Sequence, residues 1–196
     1  VEGYRNGIAT SVEVLVVGPW FPEAVKMLKE NPGLDAGVHL AITSEWENIK
    51  WRPLTDCPTL VDANGFFFPM LGPNEAYPGQ SVFENMEHFD IAEIEKEFRA
   101  QIELALKPIP QLSHISGHMF STCFNAQVAE LTRRLAEEYG LALIDSLDAG
   151  ERYDYQSLSY AGPKQTSSQK IESMAAAFKA TEPGKRYLFI DNTAYN

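Results

Sequence analysis

The stretch SVEVLVVGPWFPEAVKMLKENPGLDAGVHLAI, residues Ser11–Ile42, decides the fold. It opens on a β-branched run, Ser11–Val17, which Gly18-Pro19 stops; this predicts a strand. Pro22–Glu30 follows, with proline at its start and Ala24, Val25 and Leu28 on one face, the pattern of a helix. Asn31-Pro32-Gly33 ends it, and Ala36–Ile42 (AGVHLAI) reads as a second strand. A strand, a helix and a strand in succession form the βαβ unit of a parallel sheet.

The rest of the chain repeats the alternation. Ile91, Ile94, Phe98, Ile102 and Leu106 recur at helical spacing behind Asp90 as N-cap, so Ile91–Leu106 is a helix. Leu112–Ser116 reads as a short strand. Asn125–Tyr139 is a helix with Val128, Leu131, Leu135 and Tyr139 aligned and Gly140 after it. Leu141–Ile144 is a strand, Ser168–Lys179 a helix and Tyr187–Ile190 a strand. The expected class is α/β, in one domain over residues 1–196. Val1–Tyr4 reads as the last turn of a helix, with Arg5 suited to its C-terminus and Gly7 placed as C-cap. The chain is therefore expected to lack an element at each end.

Residues 43–90 break the pattern. Ordinary structureless loops end within about 12–15 residues. This segment is longer and aromatic, with Trp46, Trp51, Phe66, Phe67, Phe68, Tyr77, Phe83 and Phe89. Asp62–Gly65 (DANG) is a turn signal between short extended pieces. The segment reads either as a binding loop or as a cover or subunit contact; self-association is left open.

Composition narrows the partners. A chain of 196 residues with 16 Lys plus Arg against 27 Asp plus Glu carries a net charge of −11. That argues against nucleic acid, which needs a basic surface, and against an anionic membrane. No run approaches the roughly 18 apolar residues of a membrane helix. A hydrophobic share of 44% with 11 Phe, 8 Tyr and 3 Trp is enough for a packed core. Cys57 and Cys123 allow one disulfide at most and no cysteine-based zinc finger, and they do not fix the compartment.

Three of the four histidines fall where α/β enzymes place their sites. His39 lies near the C-terminal end of one strand, and His114 and His118 flank that end of another. Imidazoles converging with a carboxylate suit zinc or a similar divalent ion, which polarises a carbonyl or activates water. Four residues of extended strand span roughly 13 Å, too far for His114 and His118 to share one ion. Gly117 breaks the strand, which assigns His118 to the metal and His114 to a supporting or buried place. For any one of these histidines a satisfied structural role is the alternative. His88, among acidic residues, reads as surface. Asp145 and Asp191 follow strands, where a carboxylate serves as catalyst or as helix cap; Asp35 precedes its strand and faces the other end. There is no GxSxG, P-loop or GxGxxG.

Asn6–Val17 (NGIATSVEVLVV), Asn31–Leu40 (NPGLDAGVHL), Thr43–Pro53 (TSEWENIKWRP), Leu60–Pro69 (LVDANGFFFP) and Ile94–Leu106 (IEKEFRAQIELAL) resemble the YdjC-like carbohydrate deacetylases. The resemblance implies an irregular (β/α) TIM-like barrel of the glycoside hydrolase/deacetylase type. It also implies a divalent metal, zinc or magnesium, and removal of an N-acetyl group from an amino sugar or short oligosaccharide. By that resemblance His39 and His118 hold the metal, with His114 as the first His of the second motif. The family's Asp-Asp pair would lie before Val1. Trp46, Trp51 and Arg52 are expected to line the sugar site.

Two departures bear on catalysis. Ser116-Gly117 stands where the family has Asp-Ser or Asp-Thr, and Asp191-Asn192-Thr193 where many members have Asp-His-Pro or His-Pro. Asp191 and Asn192 thus occupy the catalytic positions, yet an asparagine is no acid at neutral pH. The alternative is a degenerate barrel that binds carbohydrate without hydrolysis. A sugar-phosphate isomerase or aldolase ranks last, because no catalytic lysine is evident near a strand end and the charge opposes a phosphorylated substrate.

Overall fold

The computed structural model describes residues 1–82, 89–144, 155–157 and 165–190. Two compact units divide the chain, residues 1–145 and 146–196.

The first unit begins with a single turn, α1 (Glu2–Arg5), capped at Asn6 rather than at Gly7. Four strands follow, β1 (Ser11–Val14), β2 (Asp35–Leu40), β3 (Leu112–Gly117) and β4 (Ala142–Leu143), all parallel and adjacent in the order β1-β2-β3-β4. Helices α2 (Phe21–Lys29), α3 (Ile91–Leu106) and α4 (Ala126–Tyr139) lie between them in the chain. This is the mixed α/β architecture with a parallel sheet that the alternation predicts. Ala36, Val38, Leu40, Ile115 and Leu143 are buried with the inner faces of α3 (Ile94, Phe98, Ile102) and α4 (Val128, Leu131, Leu135). The caps are as expected. Asp90 accepts from Ala92 N at 2.8 Å, Asn125 accepts from Val128 N at 2.9 Å, and Gly140 is left-handed with φ of 67°.

Both N-terminal strands are shorter than expected. Chain pairing of β1 with β2 stops at Val14–Val38, and a turn begins with Gly18 N bonded to Leu15 O at 3.1 Å. After Leu40 the backbone leaves the ladder because side chains take its polar groups. Gln101 donates to Ala41 O at 2.8 Å and accepts from Ala41 N at 3.0 Å.

The long segment is held by α3. Glu93, Glu97 and Gln101 repeat at i, i+4 and so share one helix face. Glu93 accepts from Thr59 N at 2.9 Å, and Glu97 accepts from Leu54 N at 3.0 Å and Thr55 N at 2.9 Å. Glu97 is fully buried, so these bonds replace its water. The segment has a small core of its own in Trp51, Cys57, Leu60 and Phe67. The DANG turn forms, with Asp62 N bonded to Phe66 O at 2.8 Å.

In the second unit β5 (Tyr155–Ser157) pairs in parallel with β6 (Arg186–Leu188). Strand β5 was not anticipated from the sequence. Helix α5 (Ser167–Lys179) starts on a capping box of Thr166 and Gln169. Phe83, His88, Asp145, Asp191 and Asn192 lie outside the described residues. Among the described residues no helix is long and apolar enough to cross a membrane.

Candidate functional site

Sheet register builds the site. Glu13 of β1, Gly37 of β2 and His114 of β3 stand side by side, and one pleat further along His39 faces Ser116. Strand neighbours are about 4.8 Å apart, so Glu13 and His114 are separated by two such spacings. They meet because Gly37 has no side chain. A methyl group there would overlap His114 Nε2 and lie 2.6 Å from Glu13 Oε2.

Two serines and two carboxylates then sort the histidines. His114 Nε2 donates to Glu13 Oε1 at 2.6 Å, and its Nδ1 donates to Ser113 Oγ at 2.8 Å. Ser113 in turn donates to Asp35 Oδ1 at 2.6 Å. Burial opposes a charge on His114, but Glu13 and Asp35 outweigh it, and the pKa is raised. Partial burial likewise favours the neutral form of Glu13. The bonds from His114 and Ser116, with the charges of His114 and His39, still bring its pKa below the ordinary value.

His39 is shifted the other way. Its Nδ1 lies 2.7 Å from Ser116 Oγ, and Ser116 donates its own proton to Glu13 Oε2 at 2.5 Å. A hydroxyl has one proton, so Ser116 must accept from His39 Nδ1–H, which leaves the lone pair on His39 Nε2. Burial, helped by the charge of His118, pushes the His39 pKa down to about 4. At neutral pH it is an uncharged imidazole.

His118 follows the end of β3 in a tight turn, as Gly117 suggests. A Cβ on Gly117 would overlap Thr122 Oγ1 and lie 2.9 Å from Thr122 N, so only glycine lets the chain turn here. Met119 and Phe120 take positive φ values of 48° and 66°, a costly conformation beside the site. The ring of His118 stands edge-on to His39 with centroids 5.4 Å apart, and to Trp51 at 5.9 Å. Its Nε2 donates to Glu45 Oε2 at 2.9 Å. Partial burial raises the Glu45 pKa, but the bonds from His118 and Trp46 prevail and hold it below the ordinary value. Both facing imidazoles thus have one nitrogen anchored, His118 by a carboxylate and His39 by a serine that a carboxylate grips. This is the usual support for metal-binding histidines. The donor chemistry fits a divalent cation. In number the set is incomplete, since among the described residues no three His, Cys, Asp or Glu side chains are grouped to hold a metal.

The structure therefore brings His39 and His118 together and sets His114 apart, against Glu13. Trp51 is buried, with its indole N–H donating to Thr43 O at 2.8 Å, and forms a wall for His118. Trp46 is exposed, and Arg52 lies over the Phe66 ring at 4.2 Å. Sequence reasoning missed Glu13, Ser113 and Glu45. The signal for Glu13 was a lone carboxylate inside the β-branched run SVEVLVV.

The family model for YdjC-like protein matches residues 1–190. Carbohydrate deacetylase 1 of Listeria innocua is 32% identical over 143 residues, covering 73% of this chain and 52% of that protein. A carbohydrate deacetylase of Oceanobacillus iheyensis is 31% identical over 140 residues, covering 71% of this chain and 54% of that protein. The chain spans about half the length of the curated relatives it matches. A crystal structure of a candidate cellobiose-phosphate cleavage protein from Enterococcus faecalis V583 matches 100% of this chain and 74% of its own, with a TM-score of 0.73 at 23% identity. That likeness bears on the fold alone.

Proposed function

The chain belongs to the YdjC-like protein family, and on that footing we propose that it serves a metal-dependent hydrolase that removes an N-acetyl group from an amino sugar or short oligosaccharide. The observation that supports this most is the pair His39 and His118. Both stand at C-terminal strand ends, with rings 5.4 Å apart and one nitrogen of each anchored.

His39 through Nε2 and His118 through Nδ1 would hold the ion, zinc or magnesium, with a further carboxylate donor. A divalent cation supplies Lewis-acid polarisation of the amide carbonyl and activation of water. The chain's own residues prepare that place. Ser116 keeps the His39 proton on Nδ1, and the low His39 pKa keeps the imidazole neutral. Glu45 fixes His118 through Nε2, and the Trp51 ring stands edge-on beside it. Exposed Trp46, bonded to Glu45 through its indole N–H at 2.9 Å, offers a face on which a sugar ring stacks. Arg52 adds a cation on the same segment.

The test is acetate release from N-acetylated di- and oligosaccharides with zinc or magnesium supplied. Release that disappears in His39→Ala and His118→Ala supports the reading; no release from any of these sugars overturns it. A second reading, carbohydrate binding without hydrolysis, is favoured by Asn192 at the position proposed for the proton donor. It requires sugar binding that survives loss of both histidines.

A further inference from the structure

The hydrogen bonds of Glu13 run to His114 and to Ser116, the serine that meets His39. Its two oxygens accept from His114 Nε2 at 2.6 Å and from Ser116 Oγ at 2.5 Å. The first bond fixes the carboxylate in place, because His114 is itself pinned through Ser113 to Asp35. The second takes the only proton that Ser116 has. With that proton committed, the hydroxyl can meet His39 Nδ1 at 2.7 Å only as an acceptor. If Glu13 is removed, the Ser116 proton is free to turn toward Nδ1. The imidazole proton then moves to Nε2 and occupies the lone pair that a ligand would use.

From this we infer that Glu13, acting across β2 through Ser116, is a positioning residue that sets the tautomer of His39 and thereby its competence to bind a divalent cation. The inference deepens the proposed metal-dependent reading and rests on it for its consequence. Three features of the sheet make it possible. Register places Glu13, Gly37 and His114 in one row and His39 beside Ser116 in the next. Gly37 leaves the space over which Glu13 reaches. A serine hydroxyl stays neutral and can either donate or accept, so the carboxylate that fixes its direction comes from another strand. A supporting residue of this kind contributes about 10–100-fold to metal affinity.

The experiment compares wild type, Glu13→Ala, Ser116→Asp and Glu13→Ala/Ser116→Asp. A long-range proton–nitrogen correlation spectrum at neutral pH reports which nitrogen of His39 carries the proton, without any metal. Calorimetric titration with zinc reports affinity. Wild type is expected to show Nδ1–H. Glu13→Ala is expected to shift His39 to Nε2–H and to weaken zinc binding by about 10–100-fold. Restoring a carboxylate directly beside Nδ1, in Glu13→Ala/Ser116→Asp, is expected to recover both. An unchanged His39 tautomer in a folded Glu13→Ala overturns the inference. So does a double variant that folds but recovers neither readout. A tautomer shift in a protein that binds no zinc even as wild type supports the positioning role and counts against the metal reading alone.

Discussion

Gly37→Ala tests the packing logic of the site most sharply. The added methyl group would overlap His114 Nε2 and lie 2.6 Å from Glu13 Oε2, so the two side chains can no longer meet over β2. Overpacking in a well-packed interior costs about 1–3 kcal/mol. A charge-assisted hydrogen bond contributes about 1.5–3 kcal/mol. Here that is discounted to roughly 1 kcal/mol, because a third of the Glu13 side chain (34%) faces solvent. The expected destabilisation is about 2–4 kcal/mol, which lowers Tm by about 4–16 °C in a chain of this length. Urea denaturation at neutral pH measures it as a lower midpoint with an unchanged slope. Gly72→Ala is the control, since a Cβ there meets nothing within 4 Å. In a His114→Ala background the cost of Gly37→Ala is expected to fall by more than half, as coupling through a contact requires. A cost below about 0.5 kcal/mol in the wild-type background, no larger than an ordinary surface change, would refute the reasoning.

Further expectations concern the supports. Glu97→Ala leaves the amides of Leu54 and Thr55 without their acceptor; we expect a loss of about 2–4 kcal/mol and faster hydrogen exchange at those amides. His39 titrates near 6.5 when unfolded and at about 4 when folded, so the unfolded chain binds more protons between these values. Stability should therefore fall as pH drops from about 6.5 to 4, and His39→Gln should flatten that slope in pH-dependent denaturation. Glu13 and His114 act in opposite senses. The Glu13 contribution is present above its unfolded pKa and lost as pH falls through its lowered folded one. The His114 contribution is present below its unfolded pKa and lost as pH rises through its raised folded one. The Cys57 thiol, buried and beside Glu97, is pushed up to about 12, so it should resist thiol reagents at pH about 8 until the protein unfolds.

Periodicity made most of the α/β frame legible. Helix α3 begins and ends where the stripe from Ile91 to Leu106 and the cap at Asp90 require. The ends of β1 and β2 were not legible, because side chains distant in sequence set them. Gln101, sixty residues away, takes the polar groups of Ala41. Strand β5 has three residues, too few for alternation to register. The site divides the same way. His39 and His118 could be chosen from strand-end position and from the break at Gly117. The sorting of the histidines, with the pKa of His114 raised and that of His39 lowered, could not. It depends on cross-strand register, which places Glu13 and His114 on either side of a glycine that reads in sequence as no more than a weak point of a strand.

The most direct measurement for the central claim is a calorimetric titration of the protein with zinc, alongside His39→Ala, His118→Ala and His114→Ala. If His39 and His118 hold the cation, wild type binds zinc, each of those two variants loses at least about 100-fold in affinity, and His114→Ala loses less, since it acts only through Glu13. Affinity unchanged by loss of either facing histidine would contradict the account.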